Sequence, residues 1–524
     1  MKVLLMHPTE DFKLDRELLP ESEDLVEDLG LGRLFEAMAG RDKLLLQVAK
    51  TAMLSPLPRS DEIVWRQQVL ADCTAHPEFA SQLFDLATEA LDNHRKLTFW
   101  GLNRSPESIR YSSIQALEAL VKFLARLRRL AEGPGQEMTS PAFVRLRTML
   151  TTELDDPYLK VVDGCLRELK LPRGLVMSAQ LGRASRGSDY TLHKVPAGGL
   201  RERFANRNQP SFSFTIPDRD EGGLQALGEL QARGVNIAAN ALAQSVEHIL
   251  SFFTSLRTEL AFYIGCLNLR TILLGKGEPI CTPVPFPSDH PALQAEGLYD
   301  PGLSLALEDK IVGNDVDADG KTLIVVTGAN RGGKSTFLRS VGEAQLMMQC
   351  GLFVAARSFS ANICPRVFTH FKRNEDSSMT GGKLDEELGR MSVTVSHISP
   401  GCLMLCNEPF GSTNEKEGSD IGRQVFIPLA AAGVKVFVVT HLYDLAESLY
   451  EKRLGSALFL RAPRQVGGQP FKLVQGAPEA TAYGEDVYIR IFGRRPPDAL
   501  TRSGRSSSNG SSSRSSTQSR TSPN

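Results

Sequence analysis

"VVTGANRGGKSTF", residues 325–337, decides the fold. An apolar run leads into it and a helical pattern, "STFLRSVGEAQLMMQ", leads out of it. The stretch satisfies G-x-x-x-x-G-K-[ST] through Gly328, Gly333, Lys334 and Ser335. Glycines at these positions let the backbone curl until successive N–H groups face a phosphate. A lysine there reaches the β- and γ-phosphates, a serine hydroxyl suits Mg²⁺, and the helix N-terminus adds a favourable dipole. Gly328, Ala329, Asn330, Arg331, Gly332, Gly333, Lys334, Ser335 and Thr336 are therefore the expected ATP-binding loop. Strand, loop and helix in this order predict an α/β nucleotide-binding domain.

Downstream, "CLMLC" (402–406) and "KVFVVT" (435–440) join "TLIVVT" (322–327) as short apolar runs, the pattern of strands buried on both faces. Each ends in a residue with useful chemistry. Glu408 follows the 402–406 run, where a carboxylate can orient or deprotonate an attacking water. Asn407 occupies the place where such strands usually carry aspartate. Its amide oxygen still accepts a hydrogen bond but has lost the charge, so a hard cation is held less strongly. His441 follows the 435–440 run, within reach of a γ-phosphate and its water. Lys334, Glu408 and His441 are the candidate catalytic residues, and Ser335 and Asn407 the candidate Mg²⁺ ligands.

Upstream the pattern changes. Residues 276–320 are rich in Pro, Gly and Asp and read as loops and short strands. Residues 1–275 read as mostly helical. "SSIQALEALVKFLARLRRLAEG" (112–133) places Ile114, Leu117, Leu120, Val121, Leu124 and Leu127 on one stripe, and 61–91 gives two amphipathic helices broken near His76-Pro77. Residues 234–275 have no proline, and no internal glycine before Gly265. They read as one strut of roughly 60 Å, or as two helices broken near Ser251 or Gly265. Alternation, aromatic residues and turn formers mark a small β insertion around 174–217. The Ser-rich 503–524 stretch has no apolar residue and is expected to be disordered. The expected domains are 1–275, 276–498 and a 499–524 tail.

A chain of 524 residues has ample length for several cores, and its formal net charge of -1 neither favours nor excludes nucleic acid. Eight scattered cysteines without a C-x-x-C pair read as buried thiols of a cytoplasmic protein. The N-terminus is charged too early for a signal peptide, and no run suggests a membrane span.

The motifs together resemble those of the MutS family, the DNA mismatch-repair ATPases of the ABC superfamily. "TGANRGGKSTFLRSV" is similar to its phosphate loop. "RVFTHFKRNEDSSMTGGKLDEELGRM" (366–391) resembles the approach to its signature region, "NEPFGSTNEKEG" its base strand and dimer-contact loop, and "VTHLYDL" its switch-histidine segment. "IVGNDV" (311–316) resembles the element bordering the adenine, and "FKLVQGAPEATAYGEDVYIRIFG" (471–493) the strand and helix near the end of the ATPase. The likeness is weaker in the helical half, at "WRQQVLADCTAHPEF" and the strut. The resemblance implies an ABC-type ATPase behind a helical core and lever, ATP and Mg²⁺ as ligands, a homodimer, and DNA as partner.

The chain also departs from the family. It is expected to lack the N-terminal mismatch-reading and connector domains, and no Phe-x-Glu wedge occurs in the 524 residues. The short insertion stands where the family has its DNA clamp, and a polar tail where it has a C-terminal dimerisation element. The signature serine is missing: Gly382, Lys383 and Leu384 stand there, with Lys383 a substitute charge. The leading expectation is slow ATP hydrolysis by a dimeric clamp on branched or otherwise unusual DNA. A nucleotide-gated scaffold for a protein partner and an RNA-directed ATPase stand beside it. Arg183, Arg186, Lys194, Arg201, Arg203 and Arg207 are the candidate basic face of the insertion, with Asp218, Asp220 and Glu221 as potential neutralisers.

Overall fold

The structure, a computed structural model, describes residues 1–98, 105–172, 174–182, 187–194, 215–217, 219–288, 290–329, 331–373, 382–463 and 471–479. Its helical half is organised by one helix of 55 residues, Glu221–Gly275, about 80 Å long. The two-helix alternative is therefore excluded, and the helix starts well before residue 234. Glycines at 222, 223, 228 and 234 hide that start from a sequence reading, because each costs about 1 kcal/mol relative to alanine in a helix. Propagation from the packed C-terminal half carries the helix through them. Asp220 caps it, its carboxylate accepting from the Gly223 N–H at 2.9 Å. Gly234 has its own use: a Cβ there would lie 2.7 Å from the Met177 sulfur of the hairpin packed against it.

That hairpin is β1 (Val176–Leu181) paired antiparallel with β2 (Gly187–His193). It is the described part of the expected β insertion. Arg183, Arg186, Arg201, Arg203, Arg207 and Asp218 lie outside the described residues, as do the 499–524 tail and the end of the 471–493 motif. Of the candidate basic face, Lys194 pairs with Glu168 at 2.5 Å.

The lower half of the long helix buries Phe252, Phe253, Leu256, Leu260, Phe262, Tyr263 and Leu269 against helices Pro77–Thr98 and Pro106–Glu132 and the short helices Gly32–Ala39 and Lys43–Met53. Burying each such side chain stabilises the fold by about 1.5–3 kcal/mol. The described part of residues 1–275 is mostly helical as expected, but the first twenty residues are not. Val3–Met6 are buried in irregular and bent backbone beside the long helix, with Leu4 at φ 57°. The fully buried Glu259 holds them, accepting from Leu5 N (2.6 Å), Met6 N (2.9 Å) and Phe12 N (2.8 Å). Arg66 joins this segment to the second half of the chain, donating to Met6 O at 2.8 Å and to Cys350 O at 3.2 Å.

Glu259→Gln should cost about 1–3 kcal/mol, because an amide NH₂ would face one of three backbone donors. Burial pushes the Glu259 carboxyl up to about 7, with the three N–H groups opposing. A folded pKa above the unfolded 4.5 means that this carboxyl's stabilising contribution is complete below about 4.5 and lost as pH rises through about 7. Urea denaturation across pH 4–8 should show that slope, and the Gln variant should lack it.

The second half is mixed α/β. A four-stranded sheet runs in the order β3 (Val284–Phe286), β7 (Ser358–Asn362), β4 (Leu293–Leu298), β5 (Asn314–Asp317). A six-stranded sheet runs β12 (Val474–Gln475), β11 (Ala457–Ala462), β6 (Leu323–Gly328), β10 (Lys435–Val439), β9 (Leu403–Asn407), β8 (Val367–Phe371). All its pairings are parallel except β11 with β12. Ile324 and Val326 enter the core shared with the helical half, while Leu323 and Val325 enter a second core on the opposite face. Both faces are thus buried, which is why these strands are continuous apolar runs.

All eight cysteines are free. Cys165 is exposed and Cys281 half-buried, so the expectation of buried thiols holds for the other six. No helix among the described residues is long and apolar enough to cross a membrane.

Candidate nucleotide site

Strand order brings the sequence-predicted residues together. β10 lies between β6 and β9, with Val439 registered against Val326 on one side and Asn407 on the other. The glycine-rich loop after β6, the Asn407–Glu408 step after β9 and His441 after β10 therefore emerge side by side, at the carboxyl ends of parallel strands.

The loop's conformation explains its glycines. Gly328 has φ 111°, and a Cβ on it would stand 2.4 Å from the Ala462 carbonyl oxygen of β11. Gly333 has φ 84° and opens the helix Lys334–Gln349. Arg331 also adopts a left-handed φ of 63° and is exposed, whereas Gly332 is buried. Asn330 lies outside the described residues.

Lys334 is buried, and its ammonium donates to the carbonyls of Gly328 and Ala329, each at 2.9 Å. Burial lowers its pKa, and the negative charge of Glu408 opposes that shift. Ser335 and Thr336 are half-buried on the first helical turn. The Ser335 hydroxyl donates to Asn407 Oδ1 at 2.8 Å, which joins the loop directly to the end of β9.

Glu408 has φ 53° and its N–H donates to Val439 O at 2.8 Å. Its Oε2 lies 4.0 Å from His441 Nδ1, and both side chains are about one-third exposed, at 32% and 39%. Gly411 permits this approach, since a Cβ there would stand 3.0 Å from His441 Cε1. A carboxylate and an imidazole thus face solvent beside the glycine-rich loop, whose lysine ammonium is turned onto the loop's own carbonyls.

Two supporting residues escaped the sequence reading. Thr440 is fully buried and its hydroxyl accepts from Leu442 N at 3.0 Å, closing the turn that presents His441. Asn314 donates to Phe471 O (3.2 Å) and accepts from Leu473 N (2.7 Å), holding Phe471 against Gly333. Both partners of that clamp lie in motifs carried by the family resemblance, so Asn314 was findable there.

Residues 59–274 match the family model "MutS2 N-terminal domain", and residues 324–468 match "MutS domain V". The chain is 26% identical over 222 residues to the DNA mismatch repair protein MutS of Chloroflexus aurantiacus, an alignment covering 38% of this chain and 23% of that protein. It is 33% identical over 139 residues to the DNA mismatch repair protein MutS of Thermotoga sp. (strain RQ2), covering 26% and 17%. It is 24% identical over 250 residues to MutS protein homolog 4 of Mus musculus, covering 46% and 25%. The matched segments therefore span no more than a quarter of these relatives' lengths. Between them the two models take in both the long helix and the strands that carry the glycine-rich loop, Asn407, Glu408 and His441. The chain belongs to the MutS family.

Proposed function

We propose that this chain binds and slowly hydrolyses ATP to ADP and phosphate, and uses the cycle to switch a homodimeric clamp on DNA without reading single mismatches. The observation that carries the reading is the Ser335–Asn407 hydrogen bond at 2.8 Å, which holds the glycine-rich loop against the strand bearing Glu408. In this reading the loop N–H groups and Lys334 hold the triphosphate. Glu408 orients and deprotonates the attacking water, and His441 stands beside the γ-phosphate. Ser335 and Asn407 offer two neutral oxygens to Mg²⁺, a fit for an ion that keeps most of its sites for water and phosphate. Bound there, Mg²⁺ would neutralise phosphate charge. The working division into a 1–275 helical core and lever, a 276–498 ATPase domain and a 499–524 tail belongs to the same reading, as does a cytoplasmic location.

The long helix supports the clamp. From Gly234, where the hairpin packs, to Gly275 it spans about 60 Å. A lever of that length turns a small rotation at the ATPase into a large displacement at its far end. Shape sensing needs no wedge residue, so branched DNA is the favoured target. The neutral Asn407 and the sequence Gly382-Lys383-Leu384 favour a second reading, a nucleotide-gated scaffold for a protein partner. A third reading directs the ATPase to RNA.

Turnover and mobility shifts with duplex, mismatched, branched and single-stranded DNA, and with RNA, separate these readings. Branched DNA should bind and stimulate hydrolysis. Nucleotide binding without turnover or nucleic-acid binding selects the scaffold, and stimulation by RNA alone selects the third reading. Asn407→Asp should lower the Mg²⁺ concentration for half-maximal turnover on the order of tenfold, the worth of one charge-assisted contact. An unmoved Mg²⁺ titration would place the residue away from the metal.

A further inference from the structure

Behind the Glu408 loop lies a buried carboxylate with no part in the chemistry above. Glu387, on the helix Lys383–His397, is 6% exposed. It accepts from the Phe410 N–H at 2.6 Å and from the Ser412 hydroxyl at 2.7 Å. His370 Nε2, on β8 and also buried, stands 3.6 Å from its Oε1 and has no closer hydrogen-bond partner among the described residues. Burial opposes the charge of Glu387. The His370 imidazole, the Ser412 hydroxyl and the Phe410 N–H outweigh it and hold the carboxyl below the usual range.

These contacts fall on backbone that needs holding. Glu408 and Phe410 have φ of 53° and 59°, and neither is glycine. A left-handed conformation costs an L-residue roughly 1–2 kcal/mol. Two such residues within three positions persist only where their surroundings over-determine them. The Phe410 ring is fully buried, its centroid 6.1 Å from that of His370 and 6.0 Å from that of Phe426. Gly418 lies directly against its carbonyl, where a Cβ would be 2.6 Å away. Phe410 is thus fixed on three sides, and the Glu387 carboxylate supplies the hydrogen-bonding side.

We infer that Glu387, backed by His370, is the positioning residue of the proposed hydrolysis, locking Phe410–Ser412 so that the adjoining Glu408 points at the reacting water. Glu387 sits one turn into a helix that begins at Lys383. Displacement of that helix is delivered to the Glu408 loop through two hydrogen bonds. The inference rests on the ATPase reading and adds to it a link between the signature-like helix and the base.

Glu387→Gln in the full chain tests it. The amide cannot accept from every donor that faces it, and its NH₂ would be set against one of them. The maximal rate should fall about 10- to 100-fold while the KM and the equilibrium affinity for ATP stay within about twofold. Amide exchange at Phe410 should accelerate at least tenfold. Ser412→Ala, which removes one donor and spares the Phe410 bond, should lower the rate by a smaller factor, and it reads the same contact if the Gln variant fails to fold. An unchanged rate together with unchanged Phe410 protection would overturn the inference. Absence of hydrolysis by the wild-type chain would instead remove the ATPase reading, and the exchange measurement would still decide whether Glu387 holds the loop.

Discussion

Lys334→Ala should weaken ATP binding by at least about 100-fold. A hydrogen bond to a charged group contributes roughly 1.5–3 kcal/mol, and a buried ammonium facing phosphate makes more than one. A hundredfold loss corresponds to about 2.7 kcal/mol. The structure adds a second reason. Lys334 Nζ bonds the carbonyls of Gly328 and Ala329, so the same side chain staples the curl that aims the loop's N–H groups. Alanine therefore removes a charge and also loosens the cradle. Stability without nucleotide should change little, because the two lost bonds are offset by relief from burying a cation, the cause of this lysine's lowered pKa. Titration calorimetry with ATP, paired with a denaturation curve in its absence, checks both halves. Unchanged affinity would remove residues 328–336 as a phosphate loop.

Sequence reading reached these residues because their signals are local. Gly328, Gly333, Lys334 and Ser335 fall within one loop, and Asn407, Glu408 and His441 each end a run of buried apolar residues. That three separate segments meet was an expectation from the resemblance; the cause is the strand order, with β10 inserted between β6 and β9. What escaped was non-local or depended on backbone shape. Glu259 organises residues 5–12 from some 250 positions away, and nothing near either partner announces it. Glu387 lies in the signature-like segment, and only the fold brings Phe410 N and Ser412 Oγ onto its carboxylate, from 23 and 25 positions away. The early start of the long helix was masked by glycines, whose intrinsic cost is overridden by a helix already propagating from a packed half.

Glu408→Gln should lower ATP turnover by about 10²- to 10⁴-fold, the usual contribution of a positioned general base, and leave ATP bound. Glutamine keeps the size and one acceptor oxygen of the side chain but cannot take a proton from water. Its backbone is tied by the N–H bond to Val439 O, so the substitution leaves the left-handed turn in place. Solvent reaches both Glu408 and His441, 4.0 Å apart, so a water can hydrogen-bond to either group from the open side. His441 remains in the variant. A small residual rate would measure what the imidazole, Lys334 and the loop N–H groups achieve without the base. Single-turnover hydrolysis of labelled ATP, with the nucleotide content of the purified variant, gives both numbers. The variant should retain ATP where the wild type retains ADP. Undiminished turnover would exclude Glu408 as the base and shift attention to His441. Loss of binding and turnover together would mean that Glu408 supports the loop through Lys334, whose charge it faces. The neutral Asn407 sharpens the comparison. With Asn407 neutral, Glu408 is the carboxylate at the end of β9, and its removal takes from the proposed site the anion that would accept the proton.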